Sequence, residues 1–356
     1  MSERPTLGAV AERAGVSLKT ASRAMNGEYG VAAATSARVH AAARALGFRP
    51  NHLARALAAG GSSAAVGLVI PSVADPFIAA VVGAVEEVLA PRGFNLMTAS
   101  HNDDEERQRR IIRGLVERRV DALIVIPAPG DAGYVAAEIH HGLVVVSLDR
   151  PMEGALVDTV VVDNVEGAAA AVSALAALGH RRIGGLGTDD RLWTLQQRHD
   201  GYRRALQSLG LPYDPALADF SCRTDAAAQH FVERLLEQHD PPTAFFSAQH
   251  VTSRGLIRAA KHLGHPIEAA MFDEVVDTDL LSLQPRVVVA SGPHRLGHIG
   301  ATLAVDRLTA EPGDIRPPRS VVLPVLRIPE HETYRPHTLA ESLAELASAT
   351  SSGADR

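Results

Sequence analysis

The sequence predicts a two-part α/β protein: a small all-helical head at the N-terminus, then a larger body folded as two lobes with parallel sheets. Three observations carry this. Residues 6–27 hold two short amphipathic stretches around a glycine. Beyond residue 63, short fully apolar runs alternate with amphipathic stretches, the pattern of strands covered by helices on both faces. A chain of 356 residues, 46% of them hydrophobic, is long enough for two or three domains with real cores.

In the head, Leu7, Val10, Ala11 and Ala14 recur at helical spacing. Gly15 permits a sharp bend, and the Ser17 hydroxyl is placed to cap a second helix. That helix presents Leu18, Lys19, Ser22 and Arg23, while Ala21 and Met25 turn inward. A helix–turn–helix of this form fits the major groove of DNA. A third helix is expected over 35–46, stopped at Pro50. Asn51 would cap a short fourth helix over 52–59, before Gly60-Gly61-Ser62-Ser63 breaks the chain. Charge agrees with a nucleic-acid partner for this part alone. Residues 1–60 hold eight Lys and Arg against three acids, whereas the whole chain is −6, leaving −11 for the remainder.

The body's apolar runs lie at 66–70, 94–99, 122–126, 144–148, 160–162, 183–187, 244–247, 269–272 and 287–291. Helices are expected between most of them, over 76–91, 104–118, 134–140, 166–178, 196–209 and 252–263. These units exceed one comfortable sheet, so two lobes are expected. One cysteine, Cys222, excludes an intrachain disulfide framework and a cysteine-rich zinc site. No apolar run spans a bilayer and no leader pattern opens the chain, so the cytoplasm is the expected compartment.

The head resembles the lactose/galactose repressor (LacI/GalR) family of bacterial transcription regulators. The string runs Val10-Ala11, Ala14-Gly15-Val16-Ser17, Thr20, Ser22-Arg23, Asn26, then Val31, Thr35, Val39, Leu46-Gly47-Phe48, Pro50-Asn51, Ala54 and Leu57. Residues 66–329 resemble, more loosely, the periplasmic-binding-protein-like sugar-binding body of the same family. The resemblance implies a head over 1–50, a hinge helix and linker over 51–62, and an effector-binding and dimerisation body over 63–333. Leu339, Leu343 and Leu346 span too few heptads for a stable bundle, so a disordered tail is expected over 334–356.

It also implies roles. Leu18, Lys19 and Arg23 would read base edges, Arg23 through a bidentate contact to guanine. Ser17, Thr20, Ser22 and Asn26 would meet the DNA backbone. Ala54, Arg55 and Leu57 would engage the minor groove, Leu57 as a wedge. Ala32 stands where a capping serine is usual, so the cap of the third helix is expected to shift to Thr35. An effector would meet Asp75, Phe77, Asp149, Trp193 (read as a loop residue), Arg198, Gln249 and Asp273. His250 replaces a usual carboxylate.

The implied function is a homodimeric regulator, a repressor, that binds a pseudo-palindromic double-stranded operator under control of a sugar or sugar derivative. Control by a purine or nucleoside co-repressor is the alternative. An enzyme fused to a DNA-binding head is disfavoured, because no catalytic constellation stands out. Gly185-Leu186-Gly187 lacks a third glycine, with Asp190 in its place; His140-His141 has no third ligand, and 103–106 reads as the acidic start of a helix. No catalytic residue, metal or cofactor is expected.

Overall fold

The computed structural model describes residues 5–48, 63–264, 266–273, 287–311, 314 and 316–329. The chain divides into two compact units, Met1–Ser63 and Ala64–Arg356. The expected hinge helix, with Ala54, Arg55 and Leu57, and the expected tail over 334–356 both lie outside the described residues.

Among the described residues the head holds three helices: α1 (Leu7–Ala14), α2 (Leu18–Met25) and α3 (Ala33–Leu46). The Thr6 hydroxyl caps α1 by accepting from the Ala9 amide at 3.2 Å. Gly15 ends it at φ 64°, the left-handed conformation that glycine adopts without a Cβ penalty. Ser17 caps α2 as expected, accepting from the Thr20 amide at 3.1 Å. Val10, Ala11, Ala14, Ala21, Ala24, Val39, Ala42 and Ala43 make the core. Ala24 is a core residue that the sequence reading missed, and Met25 is only half-buried. The expected cap at Thr35 is corrected. Ala32 is the N-cap and bonds through no side chain, so α3 starts two residues before Thr35. An apolar N-cap costs about 1 kcal/mol against serine, too little to move the boundary against a packed core.

The body's first lobe comprises β1 (Ala65–Ile70), α4 (Pro76–Leu89), β2 (Asn95–Ser100), α5 (Glu105–Glu117), β3 (Ala122–Val125), α6 (Ala136–His140), β4 (Val144–Leu148) and β5 (Asp158–Val162). The chain then builds a second lobe from α7 (Asn164–Ala177), β6 (Ile183–Leu186), α8 (Trp193–Ser208), β7 (Ala218–Asp219), α9 (Asp225–Leu236), β8 (Ala244–Ser247), α10 (His250–Leu263), β9 (Glu268–Phe272) and β10 (Val287–Ala290). It returns to the first lobe with α11 (Pro293–Leu308) and β11 (Ser320–Leu323), and crosses once more for β12 (Leu326–Pro329). The sheet orders are β2-β1-β3-β4-β5-β11 and β7-β6-β8-β9-β10-β12.

Among the described residues every strand pairing is parallel except β12 against β10, which is antiparallel. The expected parallel sheets are present, with this one edge strand as the exception. Two residues separate β11 from β12, too short for the crossover that parallel strands require. The lone antiparallel strand sits at the sheet edge, a common place for one. β7, α9, α11, β11 and β12 were not anticipated. The two-residue β7 carries no period, and α11 and β11 belong to a lobe the chain had already left. Among the described residues no helix is long and apolar enough to cross a membrane.

Candidate functional site

On the head, α2 turns Ala21 and Ala24 into the core and leaves its N-terminal end open. Leu18 is 56% exposed, high for a leucine, and Lys19 is exposed beside it. Such a pair at the start of a second helix can enter a groove. Arg23, one turn on, is engaged. Its Nη2 donates to the Tyr29 carbonyl, and its Nε lies 3.5 Å from Glu28 Oε2. The Ser17 and Thr20 hydroxyls lie 2.9 Å apart, and Asn26 donates to Glu28 at 2.9 Å. The four residues expected to meet DNA backbone are Ser17, Thr20, Ser22 and Asn26; they lie on α2 or its caps, and Ser22 is half-buried.

In the body, each sheet reverses direction of growth once, between β1 and β3 in one lobe and between β6 and β8 in the other. The carboxyl ends of strands at such points form crevices. Residues after β1 and after β8 meet across one cavity of about 400 Å³, within the ~300–1,000 Å³ usual for small-molecule sites. Ser72, Asp75, Phe77, Asp103, Asp149 and Arg150 line it from the first lobe, and Thr194, Leu195, Arg198, Gln249, His250, Arg254 and Asp273 from the second.

Arg198 is the most constrained of these. It projects from α8, is only 4% exposed, and stacks its guanidinium 3.6 Å from the centre of the Phe272 ring. Its Nε donates to Asn164 Oδ1 at 2.8 Å and its Nη1 to the Ala248 carbonyl at 2.7 Å. Its Nη2 lies 3.6 Å from Asp273 Oδ2. Burial pulls its pKa down, while Asp273 and Asp149 pull it back up.

Asp149 and Asp273 sit at equivalent places, each just after the fourth strand of its sheet, at φ 65° and 62°. Aspartate tolerates that left-handed conformation better than most residues. Each amide donates to the next strand at 2.8 Å, Asp149 to Val160 and Asp273 to Val289. The turn thereby aims both carboxylates into the cavity. Asp273 Oδ1 accepts from the Ser291 amide at 3.1 Å and from its hydroxyl. Asp149 is buried, and burial raises its pKa against the pull of Arg150 and Arg198.

Asp75 caps α4 by accepting from the Phe77 amide at 2.9 Å, and its second oxygen lies 3.8 Å from His250 Nδ1 on the opposite lobe. Gln249 accepts from the Thr188 hydroxyl.

The structure therefore gathers Asp75, Phe77, Asp149, Arg198, Gln249 and Asp273 around one space. Trp193 does not line it; the tryptophan begins α8 rather than lying in a loop, and Thr194 and Leu195 face the cavity instead. The sequence reading missed Asp103 and Arg150, which pair at 2.8 Å. Arg150 stands next to Asp149 and was the available signal. Among the described residues no group of three or more His, Cys, Asp or Glu could hold a metal ion.

Comparison with known proteins agrees with both parts. Residues 6–51 match the model described as bacterial regulatory proteins, lacI family. Residues 63–288 match the model of periplasmic binding proteins and the sugar binding domain of the LacI family. The chain is 30% identical over 319 residues to the transcriptional regulator CelR of Thermobifida fusca, covering 86% of this chain and 93% of that protein. It is 29% identical to the transcriptional repressor PurR of Pectobacterium atrosepticum, over 87% and 92% of the two chains. A solved complex of CelR with cellobiose superposes with a TM-score of 0.67 at 27% identity, over 92% of this chain and all of that one. This chain belongs to the LacI family of bacterial regulatory proteins: it is a DNA-binding transcriptional regulator with an effector-binding body, and not an enzyme.

Proposed function

We propose that the chain is a homodimeric repressor whose grip on a pseudo-palindromic operator is relaxed by a sugar or sugar derivative held between the lobes. The working division is a head over 1–50, a hinge over 51–62, an effector-binding and dimerisation body over 63–333 and a tail over 334–356. Leu18, Lys19 and Arg23 read base edges, with Ser17, Thr20, Ser22 and Asn26 on the phosphates. Ala54, Arg55 and Leu57 enter the minor groove. Asp75, Phe77, Asp149, Arg198, Gln249 and Asp273 bind the effector.

The observation that carries the sugar reading is the convergence of the buried Arg198 with Asp149 and Asp273, one carboxylate from each lobe. Vicinal hydroxyls both donate and accept, so a guanidinium fork opposed by carboxylates satisfies them from two sides. A ligand that bridges the lobes favours their closed arrangement, and through it one state of the DNA-binding head. Cellobiose is the first sugar to try, because the complex of the related CelR holds it.

The test is selection of bound duplex from a random pool with the full chain, repeated with a panel of sugars and purines. The expected result is a palindromic consensus whose recovery falls when one sugar is added. Enrichment only in the presence of a purine overturns the induction reading in favour of co-repression.

A further inference from the structure

We infer that Glu28 is a specificity-determining residue: it braces the Arg23 guanidinium and so sets how strongly that arginine prefers guanine. The inference rests on the proposed reading of bases by Arg23.

Arg23 lies in the last turn of α2, and the loop after the helix folds back around its side chain. Glu28 Oε2 stands 3.5 Å from Nε, and the Tyr29 carbonyl accepts from Nη2. Glu28 is itself fixed at both ends. Its Oε1 accepts from Asn26 Nδ2 at 2.9 Å, and its amide donates to the Arg23 carbonyl at 3.0 Å. Gly30, at φ 93°, closes the loop, and a Cβ there would lie 2.9 Å from Arg23 Nη2. The loop thus cuffs the guanidinium.

The chemistry follows from the fork. Guanine O6 and N7 accept two N–H groups from a single edge of the guanidinium. Glu28 faces Nε, and the Tyr29 carbonyl takes one Nη2 hydrogen. Nη1 and the second hydrogen of Nη2 have no partner among the described residues and are left for a base. An arginine held this way gives up less rotamer freedom on meeting guanine than an unbraced one. The same carboxylate also repels DNA phosphates, and the two effects are separable. Repulsion acts on every sequence alike, whereas bracing acts at one base position.

The experiment measures, at one salt concentration, the affinity of the full chain for the selected duplex and for the same duplex with the relevant guanine pair replaced by an adenine pair. The ratio cancels the phosphate contribution. Arg23→Ala is expected to lower it by about ten-fold. Glu28→Gln is expected to lower it by about three-fold while raising affinity for random duplex, and the double variant should match Arg23→Ala. Glu28→Asp keeps the charge and shortens its reach, so the ratio should fall with random-duplex affinity unchanged. Melting curves of each variant separate loss of bracing from loss of the fold. A wild-type or raised ratio in Glu28→Gln overturns the inference, since the carboxylate would then merely repel the backbone or compete with the base. If Arg23→Ala also leaves the ratio unchanged, the base-reading role of Arg23 falls as well.

Discussion

Asp149 in the first lobe and Asp273 in the second follow matching strands, share a left-handed backbone, and tie their amides to the neighbouring strand at the same 2.8 Å. Their side chains live differently. Asp273 is anchored by two bonds from Ser291 and lies 3.6 Å from Arg198. Asp149 is buried, its nearest ion-pair distance is 3.5 Å to Arg150, and burial pushes its pKa upward. Topology fixes where a residue points; the neighbours that tertiary packing brings decide how much its charge costs.

The largest effect expected on this contrast comes from Arg198, which faces both acids. Arg198→Ala strips the charge partner from Asp273 and a donor from Asn164. Denaturant unfolding of the body should show a loss of about 3–5 kcal/mol, as for one partner removed from a buried pair. Next, one substitution should act with opposite sign in the two lobes. Asp273→Asn weakens an anchored acceptor and should cost about 1–3 kcal/mol.

Asp149→Asn, by contrast, should raise the unfolding midpoint at pH 7.5. A raised pKa means the folded state holds the proton more tightly than the unfolded chain. The contribution of Asp149 to stability is therefore complete below its ordinary value of 3.8 and is lost as pH rises through the folded value. The advantage of the asparagine variant should accordingly shrink in melts run toward pH 4. If both asparagine variants destabilise equally at pH 7.5, the contrast between the lobes is wrong. The smallest loss is expected for Ser291→Ala, about 1 kcal/mol from one hydroxyl bond, read by the same unfolding series.

Much of this was legible beforehand because apolar runs report burial on both sheet faces. Val66 to Ile70 and Ala122 to Ile126 announce strands without help from the rest of the chain. Arg198 and Asp273 could be picked out through family resemblance. What escaped depended on contacts distant in sequence. The pairing of Arg150 with Asp103 spans 47 residues. Trp193 was misplaced because its helix starts without a capping side chain, at Leu192, so nothing local marked the boundary. The brace on Arg23 was within six residues yet invisible, since a loop's fold-back depends on the left-handed Gly30.

The chain passes between the lobes after β5, after β10, and between β11 and β12. β5 pairs with β11, and β10 with β12, so the strands bearing these links are neighbours at one edge of each sheet. The cavity is lined from the ends of β1, β4, β8 and β9, so it runs up to the strands next to those that carry the links. Three links side by side have the geometry of a book's spine, which permits rotation about that edge and opposes sliding. Leverage grows away from that edge: a small rotation there displaces Asp75 and Gln249, beyond β1 and β8, more than Asp149 and Asp273, beyond β4 and β9.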